Sequence, residues 1–215
     1  MEKIFVIGDI HGCLSKLNEM MAKLRIDAED DTLIFIGDYI DRGPDSKGVV
    51  DSILEIRQRL DHVICLQGNH EEMFLKYYRE HEDEDLFIQN GGMLTLLSYG
   101  FTGREYGYDI NVPEDHLQFF SSLHPFYETD GHIFVHAGLR PGIPLERQVK
   151  EDMLWIRQVF ISSKHDFGKT VIFGHTPLSY DMPYIRPNKI GIDTGLVYGG
   201  RLTCLELPGM IIHQV

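Results

Sequence analysis

The chain has 215 residues, 43% of them hydrophobic and 25% charged, which places it among folded globular proteins and excludes disordered and fibrous classes. Its formal net charge of −13 denies it the basic surface a nucleic-acid binder needs, so no nucleic-acid partner is expected. No apolar run approaches the ~20 residues of a membrane span, and Ile4 to Ile7 is too short for a secretion signal; a cytoplasmic protein with no membrane partner is expected.

In chain order, Ile4-Phe5-Val6-Ile7 reads as a strand buried on both faces and ending in Gly8. Leu14, Leu17, Met20, Met21 and Leu24 recur at helical spacing. Leu33 to Ile36 is a second buried strand, ending in Gly37. Val49, Val50, Ile53, Leu54, Ile56 and Leu60 form a second helical face, and Val63 to Leu66 a third strand closed by Gly68. Alternating strands and helices predict a parallel sheet with right-handed crossovers.

The middle of the chain changes character. Residues 71–124 hold no clear strand. Met73, Phe74 and Tyr77 predict one helix, Met93, Leu94, Leu96 and Leu97 another, and Leu117, Phe119 and Phe120 a third. We read this stretch as a helical insertion within a single domain spanning residues 1–215. Its acidic run from Glu80 to Asp85 fits a solvated loop or helix end. Strands resume at Ile133 to Val135, Thr170 to Phe173, Ile190 to Ile192, Arg201 to Leu207 and Met210 to Gln214. Val197 to Gly200 reads as a hairpin turn with Gly200 at positive φ, and the close spacing of the late strands predicts antiparallel pairing. Cys13, Cys65 and Cys204 are scattered and unpaired in pattern, so reduced thiols are expected.

The chemistry lies at the strand ends. After the first strand comes Gly8-Asp9-Ile10-His11-Gly12, and after the second Gly37-Asp38-Tyr39-Ile40-Asp41-Arg42-Gly43. Then follow Gly68-Asn69-His70-Glu71, His136-Ala137-Gly138 and Gly174-His175-Thr176. Parallel sheets bind ligands at this edge. Oxygen and imidazole donors without thiolate suit Mn, Fe, Co or Zn. Asp9 and His11, two residues apart, would reach one cation if the chain is extended there. Asp38 has two oxygens with which to bridge, and Asn69, His136 and His175 would complete a second site. Such a pair of cations activates a water and clamps an in-line displacement. Two dications minus two carboxylates leave roughly +2, which attracts a phosphate dianion. His62, His81, His116, His124, His132, His165 and His213 fall outside this set and are expected to be ordinary satisfied or exposed side chains.

The three blocks Gly8 to Gly12, Gly37 to Gly43 and Gly68 to Glu71 resemble the signature of the PPP family of metallophosphatases, the phosphoprotein phosphatases, and the later histidine blocks match as well. The resemblance implies an α/β (αββα) fold, a β-sandwich of mixed sheets with helices on both outer faces. It implies that Asp9, His11 and Asp38 hold one divalent metal, and Asp38, Asn69, His136 and His175 the other. Mn²⁺ is the first choice in vitro, with Fe, Zn or Co left open. It further implies His70 as the acid that protonates the leaving oxygen, Asp41 as the group that orients it, and Arg42 as a phosphate clamp, to which Asn69 lies close. A guanidinium forks onto phosphate with two hydrogen bonds, and a carboxylate fixes the tautomer of a paired histidine, so these roles have independent physical support. Trp155-Ile156-Arg157 resembles the W-x-R of bacterial and phage members, making Arg157 the second candidate arginine. Asn90-Gly91-Gly92, followed by Thr95, also resembles that branch, and suggests a tight turn near the site. The S-A-P-N-Y block of the eukaryotic enzymes is absent, and Ile192-Asp193-Thr194-Gly195 stands in its place.

The expected activity is hydrolysis of phosphomonoesters, chiefly phosphoserine and phosphothreonine in proteins, with phosphotyrosine open. The alternative is a symmetrical dinucleoside tetraphosphate hydrolase. The partner is thus a phosphoprotein or a small phosphorylated molecule. A base-stacking role for Tyr77, Tyr78, Phe87 and Tyr99 competes with their being ordinary core aromatics, and the core reading is preferred.

Overall fold

A computed structural model describes residues 2–103 and 110–215. The first third alternates as the apolar runs predict: β1 (Ile4–Ile7), α1 (Leu14–Lys23), β2 (Thr32–Phe35), α2 (Ser46–Arg59) and β3 (Val63–Cys65). The middle is helical. It comprises α3 (Asn69–Leu75), continued by a π-helical turn Lys76–Glu80, then α4 (Glu84–Gln89), α5 (Gly92–Ser98) and α6 (Glu114–Ser121). The last part holds β4 (Phe126–Glu128), β5 (His132–Val135), α7 (Lys150–Trp155), α8 (Gln158–Ile161) and β6 (Thr170–Phe173). It ends with β7 (Tyr184–Arg186), β8 (Lys189–Gly191), β9 (Thr203–Leu207) and β10 (Ile211–Gln214).

Among the described residues the strands form two five-stranded sheets, ordered β10-β9-β1-β2-β3 and β4-β5-β6-β8-β7. In the first, β1 pairs parallel with β2, Ile4 opposite Thr32, and antiparallel with β9, Ile4 opposite Leu207. The continuous apolar character of β1 now has its cause. Val6 packs between the sheets with Ile34, Ile36 and Leu66 of the first sheet side and Phe134, Ile172 and Ile190 of the second. Phe5 and Ile7 point the other way, into a core shared with α1, α2 and the helical insertion. A third cluster packs Ile133, Val135, Val171 and Phe173 against Met153 and Ile156 near α7 and Phe160 of α8. Each central strand therefore faces apolar neighbours on both sides, giving helix, sheet, sheet and helix layers.

Three expectations need correction. The stretch Val197 to Gly200 is not a hairpin: β8 and β9 belong to different sheets, and the linker contains a 3-10 turn, Leu196–Tyr198. Positive φ falls on Gly195 and Gly199, not on Gly200. The hairpin lies one connection later, between β9 and β10. Late strands do not all pair antiparallel, since β5, β6 and β8 run parallel. Strands β4 and β7 have no apolar-run signal because they are three-residue edge strands, and α4 has little periodicity because Phe87 is its one buried residue. Among the described residues no helix is long and apolar enough to cross a membrane.

Candidate active site

The site is built where the loops after β1, β2, β3, β5 and β6 meet. The first two are sewn together by backbone: Ile10 N and His11 N donate to Asp38 O at 3.0 and 2.8 Å, and Gly12 N donates to Tyr39 O at 2.7 Å. Glu71 ties in the third. Its buried carboxylate accepts from Asp38 N, Tyr39 N and Gly68 N at 3.0, 2.8 and 2.9 Å. His11, Asp38, Asp41, Arg42 and His175 all have positive φ. For non-glycine residues this conformation costs on the order of 1–3 kcal/mol each, and it gathers at functional sites where surroundings over-determine it.

Asp38 stands in the centre. Its Oδ2 lies 3.5 Å from His11 Nε2, and its Oδ1 lies 3.4 Å from His136 Nε2. The two imidazoles are oriented alike. His11 Nδ1 is 3.0 Å from Ile40 O, and His136 Nδ1 is 3.0 Å from Ile36 O. A carbonyl only accepts, so each Nδ1 carries the proton and each Nε2 turns a lone pair inward. Burial, then neighbouring cationic groups, push His11 and His175 well below the ordinary histidine range; burial holds His136 down at about 3. Neutral imidazoles are the form that ligates metals.

Among the described residues two close groups of donors result, His11 with Asp38 and His70, and Asp38 with His136 and His175. The donor chemistry fits cations. Asp9 Oδ1, His70 Nε2 and His175 Nε2 are buried without a hydrogen-bond partner, an arrangement that is costly unless something else satisfies them. Asn69 Oδ1 sits 3.0 Å from His136 Nε2, so two lone-pair acceptors face each other as ligands of one ion do. Space for the carboxylates comes from glycine: a Cβ on Gly68 would stand 2.2 Å from Asp38 Oδ1, and one on Gly174 would stand 2.1 Å from Asp9 Oδ1. Burial first, then the neighbouring carboxylates, raises Asp9 and Asp38 well above the usual range, a penalty that cations would offset.

The backbone between Asp9 and His11 differs from the sequence expectation. Asp9 and His11 do not present their side chains from an extended segment, because His11 has a φ of 48°. Asp9 Oδ2 accepts from the backbone N of His175 at 2.9 Å, which leaves its buried Oδ1 without a hydrogen-bond partner. Alternation of side chains applies to strands, and this is a turn.

His70 is fully buried, with Nδ1 2.6 Å from Asp41 Oδ2. Its Nε2 is 3.9 Å from Asp38 Oδ2. Arg42 donates from Nη1 toward His11 Nε2 at 2.9 Å, and its guanidinium lies 5.7 Å from the centre of the exposed Tyr198 ring. Arg157 is exposed and donates to His175 O and Thr176 Oγ1, both at 3.1 Å. Both arginines thus flank the donor groups. Tyr77, Phe87 and Tyr99 are buried around Phe74, and the ring of Tyr78 stacks on it, so these four are core aromatics.

Two residues went unassigned in the sequence reading. Glu71 had a signal in plain view, a Glu three residues after the N-cap of α3. Asp193 is a sixth polar group after a strand, following Gly191-Ile192, and it is raised to about 6 chiefly by burial. Its carboxylate accepts from Gly195 N at 2.9 Å, and its charge contributes to the upward shift of Asp9.

A family model described as calcineurin-like phosphoesterase matches residues 2–199. The chain is 33% identical over 210 residues to a serine/threonine-protein phosphatase 1 of Salmonella typhimurium, covering 95% of this chain and 91% of the relative. It is 29% identical over 231 residues to an asymmetrical bis(5'-nucleosyl)-tetraphosphatase PrpE of Oceanobacillus iheyensis, covering 96% and 89%. A crystal structure provisionally described as a diadenosine tetraphosphatase superposes with a TM-score of 0.77 at 25% identity, covering 99% of this chain and 92% of the other.

Proposed function

The chain belongs to the calcineurin-like phosphoesterase family, and from that membership we propose that it removes phosphate from phosphoserine and phosphothreonine in proteins, with phosphotyrosine open to the same chemistry. The observation that carries the reading is the buried Asp41–His70 pair beside the central Asp38. It provides a proton donor next to a cation-binding carboxylate, the arrangement an ester leaving group needs. The phosphatase relative aligned over nearly the whole chain favours a phosphoprotein.

Asp9, His11 and Asp38 would hold one divalent cation in this reading, and Asp38, Asn69, His136 and His175 the other, with Mn²⁺ the first choice. When bound, the cations supply an activated water and neutralise charge on the phosphate. Arg42 and Arg157, with the Asn69 amide, bind the phosphate oxygens. Asp41 accepts a hydrogen bond from His70 Nδ1–H and so directs Nε2–H toward the leaving oxygen, which receives the Nε2 proton. Glu71 keeps the backbone of Asp38 and Tyr39 in register with α3.

The decisive test is hydrolysis by the Mn²⁺-loaded protein of phosphoserine and phosphothreonine peptides. Absence of phosphate release overturns the proposal. A phosphoanhydride substrate is the second reading, favoured by the tetraphosphatase relatives, whose names specify asymmetrical cleavage rather than the symmetrical cleavage expected from sequence. Tyr198, 54% exposed beside Arg42, is the aromatic placed to meet a base, in place of the buried insertion aromatics. Comparing kcat/KM on the dinucleotide and the phosphopeptide separates the two.

A further inference from the structure

The segment Asn90-Gly91-Gly92 and the Thr95 that follows it take no direct part in the chemistry above, yet they contact its most strained point. Asp41 and Arg42 are consecutive non-glycine residues with φ of 69° and 66°. Both backbone amides are claimed by neighbours from outside their own loop. Asp41 N donates to Thr95 Oγ1 at 2.9 Å and to Ser46 Oγ at 3.1 Å, and Arg42 N donates to Gly91 O at 3.3 Å. Gly91, with a φ of 98°, passes so close that a Cβ would stand 2.9 Å from Arg42 N.

Thr95 Oγ1 lies 2.5 Å from Asp41 Oδ1 and donates its one proton there. The Ser46 hydroxyl, 2.9 Å from Thr95 Oγ1, must therefore be the donor to it. The other Asp41 oxygen faces His70 Nδ1 at 2.6 Å. Ser46, Thr95, Asp41 and His70 are all 0% exposed, so no bulk water substitutes for a missing member. A carboxylate with one oxygen held by Thr95 and the other by His70 cannot rotate, and the imidazole it faces is fixed in turn.

We propose that Thr95 is a positioning residue: its hydroxyl locks the Asp41 carboxylate against His70, so that helix α5 of the insertion sets the aim of the leaving-group acid. This rests on His70 being that acid. The turn at Asn90-Gly91-Gly92 delivers α5 to the point where Thr95 and Gly91 hold two successive left-handed residues.

The test uses Thr95→Val and Thr95→Ala, which differ in packing but both lack the hydroxyl, together with Thr95→Ser, which restores it. The Mn²⁺-loaded variants are assayed on phenyl phosphate and on p-nitrophenyl phosphate, whose better leaving group needs less protonation. Loss of the hydroxyl is expected to lower kcat on phenyl phosphate by roughly 10–100-fold, the usual effect of removing an outer partner of a site residue. The loss on p-nitrophenyl phosphate should be smaller, KM should change little, and T95S should behave as wild type. In the metal-free protein, the strongly hydrogen-bonded His70 Nδ1 proton should appear far downfield by proton NMR in wild type and T95S, and shift or broaden in T95V and T95A. Equal losses on both substrates, a T95S as impaired as T95V, or an unmoved ring proton would overturn the positioning role. An impaired His70→Asn beside fully active T95V and T95A overturns this inference alone. A wild type inactive on both substrates, or a fully active His70→Asn, overturns the acid assignment and this inference with it.

Discussion

At the scale of single residues, the site depends on side chains that have lost their freedom of choice. Ile40 O and Ile36 O each hold one imidazole nitrogen, so His11 and His136 present the other as a lone pair. His70 differs from them because its fixed nitrogen faces a carboxylate, Asp41 Oδ2 at 2.6 Å, rather than a carbonyl. Burial first, then the Arg42 and Arg157 charges, lower His70 well below the ordinary histidine range, and a carboxylate partner opposes that lowering where a carbonyl partner leaves a neutral ligand. The substitution His70→Asn is therefore expected to lower kcat by roughly 10²–10⁴-fold, the usual contribution of a positioned acid. Its Mn²⁺ content, measured by elemental analysis, should match wild type. Loss of metal in parallel with activity would reassign His70 as a ligand.

At the scale of elements, buried charge is used as a tie. Glu71, at the start of α3, gathers backbone amides of the β2 loop and of its own N-cap. In Glu71→Gln the amide end turns N–H groups toward N–H groups, leaving buried donors unsatisfied. A loss of about 2–3 kcal/mol in urea unfolding is expected, within the range for an unmade buried hydrogen bond to a charged group. A second tie crosses three strands of the first sheet. Glu206 on β9 accepts from Lys3, ahead of β1, at 2.9 Å, and pairs with His213 on β10 at 2.8 Å. The Lys3 hydrogen bond, more than any other group, depresses the Glu206 carboxyl below its ordinary value. A carboxyl lowered on folding stabilises above its unfolded pKa, ~4.3, and that contribution disappears as pH falls through the folded value. Thermal unfolding should therefore show Glu206→Gln below wild type near neutrality, with the gap closing in acid. A gap that persists at low pH would mean that packing, not charge, is what the substitution removes.

At the scale of the whole molecule, two sheets and an inserted set of helices converge on one edge. The β1 and β2 ends bring Asp9 and Asp38, the second sheet brings His136 and His175, and α5 buttresses Asp41 from the outside. Cations bound there would join both sheets, and ligands that bind only the folded state stabilise it. At a free Mn²⁺ concentration roughly 100-fold above Kd, each bound ion adds about 2.7 kcal/mol. The melting temperature should rise with added Mn²⁺ and fall back on chelation. Asp38→Asn, which removes charge from the carboxylate shared by both donor groups, should abolish most of that rise. A variant that keeps the full Mn²⁺-dependent rise would show that Asp38 does not bridge.

The central strands and the polar groups at their ends were legible in the sequence, because burial on both faces writes an unbroken apolar run and glycine marks each sharp turn into the site. The motif blocks around Asp9, Asp38 and Asn69 carried the metallophosphoesterase family with them, and the comparisons bear that family out. What the tertiary structure decided lies where energy depends on partners far along the chain. Edge strands β4 and β7 exist only because β5 and β8 offer unpaired backbone. Asp9 accepts from the backbone N of His175, 166 positions away, and a left-handed His11 makes the segment between Asp9 and Gly12 a turn rather than an extended path. Thr95 found Asp41 across 54 positions, through a hydroxyl that no local pattern distinguishes from any other buried threonine. Periodicity is a property of neighbours in sequence, whereas a hydrogen bond between loops is a property of distance in space.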